Sequence, residues 1–392
     1  MSIFEDLANS EIDEVAQLSN MIRLDKRLDI HNLVSGTLLD DEGMPFTLPT
    51  VLKCINKHVR SWDVDRTESL YHCRRFASLV TSLVFGHAFA QENAAKLVTV
   101  RTLGGTGALR LALDFYSKKL CGKNIWVGFP CWDNYHFTAT AAGLDVRYFH
   151  YQGSIDHWSQ HLKNAQPNDA ILIQSGAYNP TGTMFSSEQW RAIATLCLQK
   201  RLIPILDNAC QGVGKGVWED SEGIRILSTY CPNLLVVTSF SKNFTLYNEQ
   251  VGALSIKLEA SSQVELVERA LCSIQRTSYS SAPQLGASIV SLILGDTKLF
   301  TEWCSDLGDV RCALDKRKNR FLGEISKEKI KPTFQTNGLF FQLNLDKRVI
   351  GLLRKVDGIY LLDGGRVSLA GISLSRTTEI AAQINRRCIE NS

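Results

Sequence analysis

From about Asn124 to Ile256 the chain alternates short apolar, β-rich runs with stretches of helical periodicity. The runs are NIWVGF at 124–129, VRYFHY at 146–151, AILIQSG at 170–176, LIPILD at 202–207, LLVVTSFS at 234–241 and GALSI at 252–256. Helical spacing marks Asn134–Ala142 and Glu188–Lys200 between them. Such alternation predicts an α/β sheet covered by helices on both faces. Ser186 and Gln189 suit a capping box that starts the second helix.

A helical region over Gln284–Glu324 follows, long enough to run between two lobes. Strand-like text then returns as NGLFFQLNL at 337–345 and RVSLAG at 366–371, with a helix around Arg348–Lys355 between them. The expected organisation is a large domain over 44–310 and a smaller α+β domain made of 1–43 plus 311–392.

Composition narrows the function classes. At 392 residues, 44% hydrophobic and 21% charged, the chain is a folded globular protein too long for one core. The net charge of +3 (43 minus 40) is spread without single-sign runs, so neither nucleic acid nor an anionic membrane is expected as a partner. No stretch approaches the ~20 apolar residues of a membrane span, and the start MSIFEDLANSEIDE is acidic, so a cytoplasmic location is expected. Eleven cysteines without a CxxC pair or an adjoining histidine cluster predict free thiols, most of them buried, with no metal and no disulfide framework.

Three loops fall at the carboxyl ends of expected strands, where open α/β sheets bind ligands. Leu103-Gly104-Gly105-Thr106-Gly107 opens a helix and suits an anion such as phosphate, although a tight connection alone would explain it. Asp207 ends LIPILD, where an acid often merely caps the next segment. Lys242, in Ser239-Phe240-Ser241-Lys242-Asn243, follows so apolar a strand that its amine suits a nucleophile toward carbonyls, unless it simply reaches solvent. Cradle, acid and lysine together are the parts that pyridoxal phosphate requires.

Over about His31–Gly371 the chain resembles the aspartate aminotransferase family of fold type I pyridoxal-phosphate enzymes. The similarity rests on TLGGTGALR at 102–110, PCWDN at 130–134, NPTG at 179–182, ILDNACQG at 205–212, SFSKN at 239–243 with LYNEQVGA at 246–253, RTSYSSAP at 276–283 and GRVSLAG at 365–371. It implies a mainly parallel seven-stranded large domain and a smaller α+β domain. Lys242 then matches the Schiff-base lysine that shuttles the substrate α-proton, and Asp207 matches the partner of the cofactor ring nitrogen. Asn179 matches the residue on the phenolic oxygen, Trp132 the stacking aromatic, and Gly105, Thr106 and Ser239 the phosphate contacts. Arg366 matches the α-carboxylate clamp, and Arg276 the arginine that crosses from a partner subunit to a distal carboxylate. Gly36 falls in the segment that closes over substrate. The resemblance therefore implies a homodimer with shared active sites.

Departures gather around the cofactor. Gly104 stands where the family has serine, Cys210 where it has tyrosine and Gln250 where it has the phosphate arginine; the partner's phosphate tyrosine would fall near Thr67. Weaker cofactor binding is expected unless another cation compensates. The leading expectation is amino transfer from an aspartate- or glutamate-like amino acid to a 2-oxo acid. One alternative is a specialised enzyme that uses the same cofactor for β/γ-elimination, replacement or carbon–carbon bond formation in secondary metabolism. Another is a non-catalytic protein on a decayed scaffold.

Overall fold

Successive residues of the central strands are buried on opposite faces of one sheet, which is why their sequences are apolar at nearly every position. Ile171, Ile173, Leu206, Leu234 and Val236 pack into one core, and Ala170, Leu172, Ile205, Leu235 and Val237 into a second core across the sheet. The computed structural model describes residues 13–40, 43–61, 73–152, 155–333 and 335–391.

The described residues begin with α1 (Glu14–Leu24), β1 (His31–Asn32), α2 (Pro49–Ser61), α3 (Arg74–Phe85) and α4 (His87–Glu92). The alternating region runs β2 (Leu97–Leu103), α5 (Gly104–Lys119), β3 (Asn124–Phe129), α6 (Asn134–Ala141), β4 (Asp145–His150), α7 (Ile155–His161), β5 (Ala170–Gln174), α8 (Ser187–Lys200), β6 (Ile203–Asn208), α9 (Glu222–Tyr230), β7 (Leu234–Ser239) and β8 (Val251–Lys257). After it come α10 (Val264–Ser278), α11 (Leu285–Leu294), α12 (Thr297–Glu324), β9 (Phe340–Gln342), α13 (Lys347–Leu352), β10 (Ile359–Tyr360), β11 (Arg366–Ser368) and α14 (Thr377–Glu390).

The seven-stranded sheet has the order β2-β8-β7-β6-β5-β3-β4. Only β8 runs against its neighbours, so the carboxyl ends of the other six strands lie along one edge. The loops after β2, β3, β5, β6 and β7 therefore converge there, and these loops carry the residues singled out from sequence. Among the described residues there are also two small sheets: β11 pairs antiparallel with β9, and β1 pairs parallel with β10.

Three expectations change in detail. The helical region 284–324 is two helices, because Gly295 ends α11 and Asp296 restarts the chain as the cap of α12, accepting from the Lys298 and Leu299 amides at 2.9 and 3.0 Å. The glycine loop is not a lead-in to α5 but its first turn, which begins at Gly104. The helix at 348–355 is α13 followed by a wider π turn over Leu353–Asp357. The Ser186/Gln189 capping box is present as expected.

The helix α12 joins the two groups of sheets. Trp303 donates to the Asn243 carbonyl at 2.7 Å and Arg311 donates to that of Gly212, both in loops of the large sheet. Further along, Arg317 reaches the Leu369 carbonyl and Phe321 meets Phe341 edge-on at 5.3 Å.

Candidate active site

Among the described residues no side-chain cap closes the amino end of α5, whose first turn lies at the sheet edge. Backbone approach is close there: a Cβ on Gly105 would lie 2.7 Å from Ser239 Cβ, so residue 105 must be glycine for the turn to rest on β7. The Ser239 hydroxyl consequently lies beside the cradle, within 3.3 Å of Ser241 Oγ. Thr106 and Gln250 line an adjoining cavity of about 410 Å³ together with Arg110 and Tyr279. Gln250 adopts a left-handed backbone, φ +48°, and folds its side chain over Gly104, with Nε2 donating to the Tyr247 carbonyl at 2.8 Å.

Asp207 lies near the end of β6, in register with Gln174 of β5 and Val237 of β7, and is buried. Burial pushes its carboxyl above the usual range; a hydrogen bond donated by the Tyr135 hydroxyl and the nearby Lys242 ammonium pull the other way. Lys242 sits in the turn after β7 and faces Gly36, on which a Cβ would stand 3.6 Å from Lys242 Cε. Cys210 is buried at the same end of the sheet, and desolvation pushes its thiol up, so it acts there as a small neutral packing group.

Arg366, the first residue of β11, is 4% exposed. Its Nη1 donates to Asn179 Oδ1 at 3.0 Å, Nη2 donates to the Val34 carbonyl, and the guanidinium lies 4.6 Å over the Phe340 ring. Its Nε is buried with no hydrogen-bond partner among the described residues. Burial lowers its pKa to about 10, opposed by the Asp133 and Glu14 carboxylates. A buried guanidinium with a spare N–H is matched to a carboxylate ligand, since a desolvated charge is compensated only by an opposite one. Asn179 is itself held by a reciprocal amide pair with Gln174, at 2.8 Å in each direction. Trp132 meets Tyr135 edge-on, centroids 5.5 Å apart. The segment carrying Gly36 is tied down by Tyr247, whose hydroxyl donates to the Gly36 carbonyl at 3.2 Å and accepts from the Leu38 amide at 3.0 Å.

The fold thus brings Gly36, Gly105, Thr106, Trp132, Asn179, Asp207, Cys210, Ser239, Lys242, Gln250 and Arg366 to one sheet edge and the strand β11 facing it. Arg276 stands on an exposed part of α10, where Nη1 donates to Ser280 Oγ at 3.0 Å. Thr67 lies outside the described residues. Sequence reasoning missed Tyr135, Gln174, Tyr247 and Phe340. Only Tyr135 carried a local signal, one helical turn after Trp132.

These groups fit pyridoxal phosphate. Uncapped amides and hydroxyls suit its phosphate, the buried Asp207 suits a protonated ring nitrogen, and the Lys242 amine suits its aldehyde. Residues 29–384 match the family described as aminotransferase class I and II. An aspartate aminotransferase of Salmonella typhi is 33% identical over 95% of this chain and 96% of its own length. A tyrosine aminotransferase of Rhizobium meliloti is 31% identical over 97% and 99%. The solved aromatic-amino-acid aminotransferase of Burkholderia pseudomallei, covalently bound to pyridoxal phosphate, superposes with a TM-score of 0.90 at 26% identity, covering 99% of this chain and 100% of that one. The chain therefore belongs to the class I and II aminotransferases, and its chemistry is amino-group transfer with pyridoxal phosphate.

Proposed function

We propose that this enzyme moves the amino group of an acidic amino acid, aspartate or glutamate, to a 2-oxo acid, with Lys242 and Asp207 as catalytic residues. The observation that carries this reading is the placement of Lys242 beside the buried Asp207, with the buried Arg366 facing the same edge. When bound, the cofactor supplies an electron-withdrawing ring that stabilises negative charge developing at the substrate α-carbon.

The chain's own residues divide the remaining work. Gly105, Thr106 and Ser239 hold the phosphate. Gln250, turned onto Tyr247 and Gly104, adds no charge to them. Asp207 keeps a proton on the ring nitrogen, and Asn179 donates to the phenolic oxygen while its Oδ1 steadies Arg366. Trp132 would pack against the ring. Arg366 grips the α-carboxylate with a planar two-pronged donor, which fixes the α-hydrogen within reach of Lys242. Lys242 would shuttle that proton between the substrate α-carbon and the bound cofactor. The segment around Gly36 limits water at the amine.

Arg276 is the group proposed to select a distal carboxylate, from the partner in a homodimer; its exposure on α10 supports that reading. The relatives named above include both an aspartate and a tyrosine enzyme, so substrate breadth is part of the test. The division at 44–310 against 1–43 plus 311–392 is supported by the two sets of bonds made by α12. A cytoplasmic location is supported by eleven free cysteines and by the lack, among the described residues, of any helix long and apolar enough to cross a membrane.

The test is a single half-reaction without acceptor. Glutamate or aspartate should release its 2-oxo acid in an amount equal to the enzyme's active sites, and Lys242→Ala should release none. Release from tyrosine but from neither acidic substrate overturns the substrate assignment. Mixing Lys242→Ala with Arg276→Ala subunits should restore activity on acidic substrates in hybrid dimers. No restoration overturns the shared site.

A further inference from the structure

Outside the residues already given roles, the most telling contact is that of Tyr135 with Asp207. Tyr135 is 1% exposed and Asp207 7%, and the hydroxyl donates to Oδ2. A carboxylate at the end of a buried strand is poorly solvated and tends to keep a proton for itself. To leave the proton on a ring nitrogen, it must bind that proton less tightly than the nitrogen does. A donor on the carboxylate provides this bias, because it stabilises the ionised form.

We propose that Tyr135 is a positioning residue of the reaction: its hydroxyl, bonded to Asp207 Oδ2, keeps that carboxylate ionised and leaves Oδ1 for the cofactor ring nitrogen. The inference rests on Asp207 being the ring-nitrogen partner. A phenol suits the task for two reasons. It is uncharged, so it does not repel a protonated ring as a cationic donor would. It also does not titrate near neutrality, since burial and the Asp207 charge hold the Tyr135 hydroxyl far above its ordinary range.

The other titratable groups facing this pair behave alike. Burial pushes the Tyr178 hydroxyl well above 10, the Cys131 thiol up to about 12, and the Cys210 thiol upward. Lys242 is the cation opposite. Trp132 fixes the aim of Tyr135, both through the edge-on ring contact and through its carbonyl, which accepts from the Tyr135 amide at 3.0 Å.

The test uses holoenzyme loaded with cofactor labelled with ¹⁵N in the ring. In the wild type the nitrogen shift should report a protonated ring, and in Tyr135→Phe it should move toward the unprotonated value with the cofactor still bound. A protonated wild type with an unchanged Tyr135→Phe overturns the proposal alone. An unprotonated wild type overturns the assignment of Asp207 and the proposal with it.

Discussion

Gln250 and Gly104 occupy each other's space. The left-handed backbone at Gln250 turns its side chain back onto the first turn of α5, where Oε1 sits at the place a Cβ of residue 104 would take. Gly104 has φ +65°, so it suits glycine on its own account as well, and its amide donates to the Gln250 carbonyl. The serine and arginine that the family has at these positions are thus replaced together, by a glycine and by a glutamine that bonds to Tyr247.

This pairing predicts coupled mutants. Gln250→Arg adds a cation beside the phosphate site and should tighten cofactor binding about tenfold, near 1.4 kcal/mol. Gly104→Ser alone should weaken the protein by roughly 1–2 kcal/mol, through strain at positive φ and collision with Gln250. With Gln250→Arg in place, Gly104→Ser should cost less stability than it does alone, by at least about 0.5 kcal/mol. Equilibrium dialysis of the cofactor and urea unfolding measure both quantities, and strict additivity would show the two positions to be independent.

Asp207 should make the cofactor-free protein less stable as pH rises. Burial raises its folded pKa above the ~3.9 of the unfolded chain, so the folded form holds the proton longer. That contribution is complete below the unfolded value and is lost as pH climbs through the folded one. Apo Asp207→Asn should therefore outlast the apo wild type near pH 8 by on the order of 1 kcal/mol, and match it near pH 4. Thermal melts at the two pH values decide. In the loaded enzyme the same variant should lose most of its activity.

Arg366→Lys should lower kcat/KM for every amino and 2-oxo acid by about 100-fold, or roughly 2–3 kcal/mol. Lysine can replace the charge but not the planar fork, and it leaves Asn179 Oδ1 or the Val34 carbonyl without its present donor. A loss confined to acidic substrates would instead place Arg366 at the side chain.

Tyr247→Phe removes the hydroxyl that holds the Gly36 carbonyl and the Leu38 amide. Amide exchange over residues 33–38 should speed up and kcat/KM fall roughly three- to tenfold, on the order of 1 kcal/mol. Cofactor affinity should stay unchanged. Unaltered exchange in that segment would show that other bonds hold it.

Much of the site was legible because its chemistry is local. Asp207 lies near the end of the mainly apolar β6, Lys242 just beyond the mainly apolar β7, and the glycine turn directly after β2, and the carboxyl ends of these strands share one edge of the sheet. The helix α8 was legible in the same way, since Ser186 and Gln189 form its cap within four residues. The helix break at Gly295-Asp296 was present in the text but was outweighed by apolar periodicity on both sides.

The amino-acid sequence by itself determined the class of fold, the strands that bury both faces and the reactive groups at their ends, because burial period and capping are written in neighbouring residues. The tertiary structure alone decided which distant residues meet: Tyr135 on Asp207, Gln250 over Gly104, Asn179 on Arg366 and Tyr247 on the segment of Gly36. Those contacts depend on strand order and on the packing of β9 and β11 against the large sheet, and no periodicity along a chain encodes the distance between residues that only folding brings together.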